Sequence, residues 1–314
     1  MEFQHNLDLF DKPENDRALE NYRYPFPKIL IAQHPLPQRD QSRMMVVDRG
    51  RRGWEHLTIR DLPEFLRPGD LLVFNDTRVM PAKLLGKDGQ GKNVEILLLG
   101  TVDYGPWTVD QKIWKGLGKP FRKIREGMEI EFNAGLRGKV VQKNGDGLQI
   151  RFNDDRLIEK AGLPPLPPYI RRAPEIADRE RYQSIFAKNT GSAAAPTASF
   201  HFTEELVKKL KTKGVETAFV TLHVSRDTFL PIRTEDVTQH KMHGERFCVP
   251  KETQTKIKQA KGDGRRVIAV GTTVVRALES DWSQSETKLF ITPGFQFKIV
   301  DALLTNFHQP ASTL

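Results

Sequence analysis

Two histidines, His201 and His223, fall within one stretch, Thr190–Phe229. An unperturbed imidazole titrates close to neutral pH, so either ring could carry a proton in catalysis or simply hold a strand end by hydrogen bonding. Asp76 and Arg78 lie in Asn75-Asp76-Thr77-Arg78, directly after the apolar run Leu71–Phe74. That tetrapeptide reads either as a turn closed by its own Asx hydrogen bonds or as a carboxylate and a guanidinium delivered to a strand end. Gly271-Thr272-Thr273 follows the apolar run Arg266–Val270 and leads into a helix, a junction of the kind that seats ligands. Asp301 and Asn306 interrupt a C-terminal run that should be buried, where a carboxylate requires a partner. His240 and His243 have the spacing of a metal pair on a helix. With no carboxylate or thiolate cluster beside them, local hydrogen bonding or nucleic-acid contact is the better reading. Phosphate loops, GxGxxG after a strand, HExxH, CxxC and GxSxG are absent from the sequence.

The elements that must position these groups follow from local chemistry. A small-residue loop, Gly191–Thr197, includes Pro196 and Thr197 and leads to Thr203, a credible N-cap. Glu204–Lys213 is the helix it caps, Gly214 ends it, and Val215–Val224 is an apolar strand finishing beside His223. Pro250–Lys261 reads as a helix with Ile257 and Ala260 inward, Asp178–Lys188 as another, and Val274–Ser280 as a third. Met44–Asp48 should be a buried strand, and Leu289–Thr292 another. Helices alternating with strands over residues 180–310 give an α/β main domain. Short strands with glycine turns between Leu62 and Phe152 give a small β-barrel, and Gly127–Phe132 shows clean two-residue alternation. The expected organisation is a main domain from 1–61 and 155–314, with the barrel, 62–154, inserted in it. The proline-rich stretch Gly162–Arg172 is a stiff return connector.

The formal net charge of +9 favours a polyanionic partner, nucleic acid first. Between Trp107 and Arg151 there are ten Lys or Arg against five Asp or Glu. Trp107, Trp114 and Phe121 are interleaved there with Lys115, Lys119, Arg122 and Lys123, which suits a nucleic-acid surface and equally a solvated barrel face over core aromatics. Arg171 and Arg172 add cations at the connector. One cysteine, Cys248, allows no intrachain disulfide and no cysteine metal cluster. No apolar run is long enough to span a bilayer, and the N-terminus lacks the pattern of a secretory signal, so a cytoplasmic protein is expected.

Taken together, these segments resemble the S-adenosylmethionine:tRNA ribosyltransferase-isomerases of queuosine biosynthesis. The resemblance runs, in order, through Arg39-Asp40 with Ser42-Arg43, Pro68–Val79, Pro165–Ile170, Glu180–Gln183, Ala194–Ala198 with His201–Thr203, Phe219–Val224, His240–His243, Val270–Thr273 with Val275-Arg276, and Asp301–Leu303 with Thr305–His308. It implies an α/β domain with an inserted β-barrel. It implies an enzyme that moves the ribosyl part of S-adenosylmethionine onto 7-aminomethyl-7-deazaguanine in a tRNA anticodon and rearranges it to the epoxycyclopentanediol of epoxyqueuosine. S-adenosylmethionine is then a consumed cosubstrate, adenine and methionine leave, and no metal is implied. Such chemistry needs a base for the proton on the carbon beside the sulfonium and an acid for the departing adenine. On this reading His201 or His223 handles a proton and Asp76 or Asp301 orients or accepts. Arg78 and Arg276 hold ribose or phosphate oxygens, Gly271–Thr273 seat the cosubstrate, and Asn75, Pro196, Thr197, Thr203, Asn306 and His308 complete the binding set. A monomer is expected, and tRNA is its partner.

The sequence departs from the family pattern at Ser225-Arg226-Asp227, where Gly-Leu-Gly is usual, at Ser199-Phe200 in place of Gly-Leu, and at Leu314, where relatives continue with an apolar helical segment. Two alternatives stay open at this point: a homologue that binds tRNA without turnover, and another S-adenosylmethionine-dependent transferase on the same scaffold.

Overall fold

A computed structural model describes residues 4–5, 16–101, 112–145, 147–224 and 232–313. The chain divides into two compact units, one of Met1–Thr77, Ser184–Asn189 and Pro196–Leu314, the other of Arg78–Gln183 and Thr190–Ala195.

The first unit is built on strand β1, Leu71–Asn75, whose five residues are all buried. A strand apolar on both faces belongs in the middle of a parallel sheet with cover on both sides. That is its position. Strands β2 (Glu216–Leu222), β3 (Glu245–Cys248), β4 (Val267–Val270), β5 (Glu286–Thr287) and β6 (Ala302–Leu304) complete a six-stranded sheet in the order β5-β3-β2-β1-β4-β6. β2, β1, β4 and β6 run parallel, and at one side β3 pairs antiparallel with β2 and β5 antiparallel with β3. Leu72, Phe74, Ile268 and Val270 face a core shared with Phe202, Leu206 and Leu210. The last two are the buried positions of helix α1, Glu204–Thr212, which Thr203 caps by accepting from the Leu206 N–H at 3.1 Å. Helices α2 (Lys251–Gly262) and α3 (Thr272–Leu278) pack against β1, β2 and β4. A hairpin of Arg43–Asp48 and Gly53–Thr58 is appended to this unit.

The second unit is a closed six-stranded antiparallel barrel of Lys83–Asp88, Asn93–Thr101, Ile113–Lys119, Glu129–Phe132, Arg137–Asn144 and Gly147–Phe152. Closure removes the exposed strand edges that a small open sheet would carry. Its interior is filled by Leu84, Ile96, Leu98, Ile124, Ile130, Leu136 and Ile150. The fit is tight. A Cβ at Gly118 would stand 2.1 Å from the Ile124 side chain, so only glycine passes there.

The architecture is the expected α/β unit plus barrel, with four local differences. Leu71–Asn75 was expected within the barrel segment that starts at Leu62, but it is the central strand of the α/β sheet. Only Met44 is buried in Arg43–Asp48, because that hairpin covers the core with one face. Asp178–Arg181 is a single helical turn rather than a helix to Lys188, and the strand near the C-terminus is Glu286–Thr287 rather than Leu289–Thr292.

Candidate active site

Four parallel strands of the first unit end at one edge of the sheet, at Asn75, Leu222, Val270 and Leu304. In open α/β sheets the crevice beyond the strand carboxyl ends is where ligands bind. Asn75 is fully buried, and its amide joins three of the four strand ends. Its Nδ2 donates to the Leu222 carbonyl at 2.9 Å and to Thr273 Oγ1 at 3.3 Å, while its Oδ1 accepts from the Leu222 N–H at 3.1 Å. The structure therefore makes Asn75 a clamp between strands, with no amide group left over for a substrate.

Asp76 follows with its carboxylate held on both oxygens. Thr221 Oγ1 donates to Oδ1 at 2.7 Å and Asn189 Nδ2 to Oδ2 at 3.0 Å, and Asn189 also donates to Thr221 Oγ1 at 3.0 Å. The Asp76 backbone is fixed as well: its N–H donates to Val220, and its carbonyl accepts from Lys188 and Asn189. His223 sits at the end of β2, tied by its N–H to the Arg246 carbonyl at 2.9 Å. Its Nδ1 is buried and has no hydrogen-bond partner among the described residues. Burial pushes the His223 pKa below the ordinary value, Arg246 pushes it further down, and the Asp76 carboxylate pulls it back up. The ring is thus neutral at pH 7, and a negative charge is within electrostatic reach of the cation it would become on taking a proton.

His201 is the last residue of a 3-10 turn, Thr197–His201, that starts after Pro196. Its Nε2 lies 3.1 Å from Asn306 Oδ1, just past the end of β6, and the ring also bonds the Arg39 backbone. Arg39 Nη1 donates to the Phe200 carbonyl at 3.2 Å, and its guanidinium lies over the Phe200 ring. Burial lowers the His201 pKa despite those bonds. His308 lies a few residues beyond Asn306, its pKa also lowered by burial, and its carbonyl accepts from the Tyr24 hydroxyl. Gly271 opens α3 at φ +100°, a conformation that strains any other residue, and its N–H donates to the Leu304 carbonyl at 2.8 Å. That turn presents Thr272 and Thr273, both half-buried, at the same edge.

The shared direction of the three histidine shifts has a consequence for stability. Each folded-state pKa lies below the unfolded value of 6.5, so the unfolded chain binds more protons as the pH falls through that value. The contribution is present in full above pH 6.5 and is lost as the pH falls toward the folded-state pKa values. Thermal melts should show Tm falling between pH 7.5 and pH 5, and His308→Gln should make that fall shallower. An unchanged slope in the variant would remove His308 from the account.

Several expected site residues lie elsewhere. Asp301 precedes β6, so it stands at the amino-terminal edge of the sheet, opposite the site. It accepts from Lys261 Nζ at 2.8 Å and from the Val267 N–H at 2.8 Å, and this partnership is its role. Arg276 is on the buried face of α3. Its Nη1 pairs with buried Glu245, and its Nη2 donates to the carbonyls of His243 at 2.8 Å and Thr287 at 3.2 Å. Thr203 is spent as the α1 cap. Arg78 belongs to the barrel unit, where it is exposed and lies 3.7 Å from Glu159. Arg172 forks onto buried Asp178 at 2.6 and 2.7 Å, whereas Arg171 is exposed.

On the barrel, Lys115, Lys119, Arg122 and Lys123 are exposed. Trp114 is not a stacking platform: it is buried in the core, and its indole N–H donates to Asp155 at 3.0 Å. Phe121 is covered by Lys143 Nζ, 4.3 Å from the ring centroid. Trp107 and Ser225-Arg226-Asp227 lie outside the described residues. His240 packs its ring edge-on to Phe290, and among the described residues no group of three or more His, Cys, Asp and Glu gathers as a metal site. Cys248 is exposed on β3.

Sequence reasoning missed Asn189 and Thr221. Thr221 occupies a half-buried position in the alternating pattern of β2, a signal that it lines one face near the strand end. Asn189 offered no such signal, since 113 residues separate it from Asp76.

The fold defines an α/β protein with a closed barrel unit, and the carboxyl ends of its parallel strands are the candidate site. Comparison with known sequences narrows the class. The profile of a family described as queuosine biosynthesis protein matches residues 19–314, and the chain belongs to that family. An S-adenosylmethionine:tRNA ribosyltransferase-isomerase of Anaeromyxobacter dehalogenans is 46% identical over 94% of this chain and 88% of its own length. Its namesake from Thermotoga maritima is 44% identical over the same shares. A crystal structure of an S-adenosylmethionine tRNA ribosyltransferase from Thermotoga maritima aligns with 93% of this chain and 86% of its own at 37% identity, with a TM-score of 0.47.

Proposed function

We propose that this chain is an S-adenosylmethionine:tRNA ribosyltransferase-isomerase. It transfers the ribosyl part of S-adenosylmethionine to 7-aminomethyl-7-deazaguanine in tRNA and isomerises it to the epoxycyclopentanediol of epoxyqueuosine, releasing adenine and methionine. Relatives of this name, 44–46% identical over 94% of the chain, support the activity. The observation that carries the mechanism is His223: neutral, half-buried, with a buried Nδ1 that has no partner among the described residues, within electrostatic reach of a carboxylate fixed by two donors.

The carbon next to the sulfonium is acidified by the positive sulfur, and a neutral imidazole can take its proton. His223 becomes imidazolium in that step, and the Asp76 carboxylate stabilises the new charge. Thr221 and Asn189 hold Asp76 in place, so this stabilisation needs no rearrangement at the moment of reaction. His201 is better suited to positioning than to acid catalysis. Its lowered pKa leaves little imidazolium at pH 7, while its bonds to Asn306 and Arg39 engage the ring with the protein and fix its orientation at this edge. Thr272 and Thr273 supply hydroxyls for the cosubstrate, with Pro196 and Thr197 at the start of the facing turn. S-adenosylmethionine is consumed, and the reading assigns no metal.

The reading places the protein in the cytoplasm as a monomer acting on tRNA. No helix among the described residues is long and apolar enough to cross a membrane. The deciding experiment mixes the protein, S-adenosylmethionine and tRNA carrying the aminomethyl base. Adenine and methionine in equal amounts, with a ribosyl-derived mass added to the tRNA, are expected. A methylated tRNA, or tRNA binding with no adenine released, would overturn the proposal.

A further inference from the structure

Strand β3 brings a cation to the side of His223. The register of β2 with β3 pairs Thr221 with Cys248 and Leu222 with Phe247. The next step sets His223 opposite Arg246, and there the His223 N–H donates to the Arg246 carbonyl at 2.9 Å. Residues opposed and bonded in this way have Cα atoms about 5.5 Å apart. Along β3, Glu245 and Phe247 are buried, while Arg246 and Cys248 are exposed on the other face. Thr221, which holds Asp76, and His223 share that face with Arg246. Across neighbouring strands the edge therefore presents a carboxylate, a neutral imidazole and a guanidinium: Asp76, His223 and Arg246.

The sheet does not neutralise this guanidinium. Glu286 opposes Arg246 on β5, but its carboxylate lies over Gly244, where an added Cβ would stand 1.8 Å from Oε1, and it pairs with Lys288 at 3.9 Å. The Arg246 side chain has no ion pair or hydrogen bond among the described residues. A cation in this place weakens the base beside it, since Arg246 pushes the His223 pKa down. An arriving anion would reverse that effect.

S-adenosylmethionine carries the complementary order of charges. Its sulfonium is cationic, and a short aliphatic chain joins the sulfur to the amino-acid carboxylate. With the sulfonium toward Asp76 and His223, the carboxylate reaches the guanidinium one strand over. We infer that Arg246 binds the carboxylate of S-adenosylmethionine and so selects the intact amino-acid part; the inference rests on the reading of His223 as the base. Guanidinium and carboxylate match as a fork of two parallel hydrogen bonds, which a lysine cannot reproduce. Docking offsets the guanidinium charge, so His223 becomes a stronger base once the cosubstrate is in place.

The test compares S-adenosylmethionine with its decarboxylated analogue, which keeps the sulfonium and lacks the carboxylate. Adenine release is followed at saturating tRNA carrying the aminomethyl base. Arg246→Gln should raise KM for S-adenosylmethionine at least about tenfold, the effect of losing one charge-assisted pair. The inhibition constant of the decarboxylated analogue, competing for the same site, should be nearly the same in both enzymes. Arg246→Lys should give an intermediate KM. The substitution is at an exposed position, so Tm and the KM for tRNA should stay at wild-type values. Equal weakening of both ligands, an unchanged KM for S-adenosylmethionine, or a rise in KM for tRNA alone, the mark of an RNA phosphate contact, would overturn the inference. A wild type that releases no adenine would remove the underlying reading instead, and that result appears before any variant is made.

Discussion

Replacing His223 by alanine should lower the rate of adenine release from S-adenosylmethionine by about 10²–10⁴-fold, the range over which a positioned general base contributes. Binding of S-adenosylmethionine should change far less, because the imidazole acts on a proton in flight. The pH profile supplies the sharper signature. With the His223 pKa held below its ordinary value by burial and by Arg246, the acidic limb of kcat/KM should lie below pH 6.5. Asp76 acts in the opposite direction, so Asp76→Asn should move that limb to still lower pH and reduce the plateau, since a weaker base takes the proton less readily. Asn189→Ala, which frees one carboxylate oxygen of Asp76 without touching the ring, should give a smaller loss. A His223→Ala enzyme within a few-fold of wild type, or an acidic limb unmoved by Asp76→Asn, would assign the proton to another group.

Much of this edge could be read from the sequence, because its parts are local. Thr203 and Gly214 delimit α1 through capping chemistry, and the apolar runs around Leu71, Val215 and Val267 could only be buried strands. His201, His223 and Gly271 each mark an element end. What could not be read was which ends share an edge. Leu71–Asn75 sits between two turn-rich stretches and looks locally like its barrel neighbours. Its partners β2 and β4 lie more than a hundred residues away, and parallel pairing leaves no local trace. Asp301 was misread for a related reason. β6 is three residues long, so a shift from its end to its start moves a carboxylate from the active edge to the opposite one. Arg276 was misread because charge in a helix following a glycine junction suggests a ligand contact. Only the packed fold reveals that its face of α3 turns toward Glu245. The site thus rests on signals at element ends, and the errors are all of long-range placement.

Arg276 also gives the largest expected effect on stability. Glu245 is 3% exposed and Arg276 8% exposed. Burial lowers the guanidinium pKa, and the Glu245 carboxylate works against that shift. Arg276→Ala leaves Glu245 buried without its cation and also strips the donors from the carbonyls of His243 and Thr287. Breaking such a pair costs about 3–5 kcal/mol. At roughly 2–4 °C per kcal/mol, Tm for the α/β unit should fall by about 6–20 °C. A double change, Arg276→Met with Glu245→Leu, removes both charges and refills the space. Replacing a buried ion pair with apolar groups is often neutral, so it should restore most of the lost Tm. The double variant also separates stability from ligand binding. If Arg276 only ties α3 to β3 and β5, the restored protein keeps a near-normal KM for S-adenosylmethionine. If the guanidinium instead holds ribose oxygens, the protein melts normally but its KM rises by tenfold or more. The geometry, with Nη1 and Nη2 both committed to protein oxygens, predicts the first result.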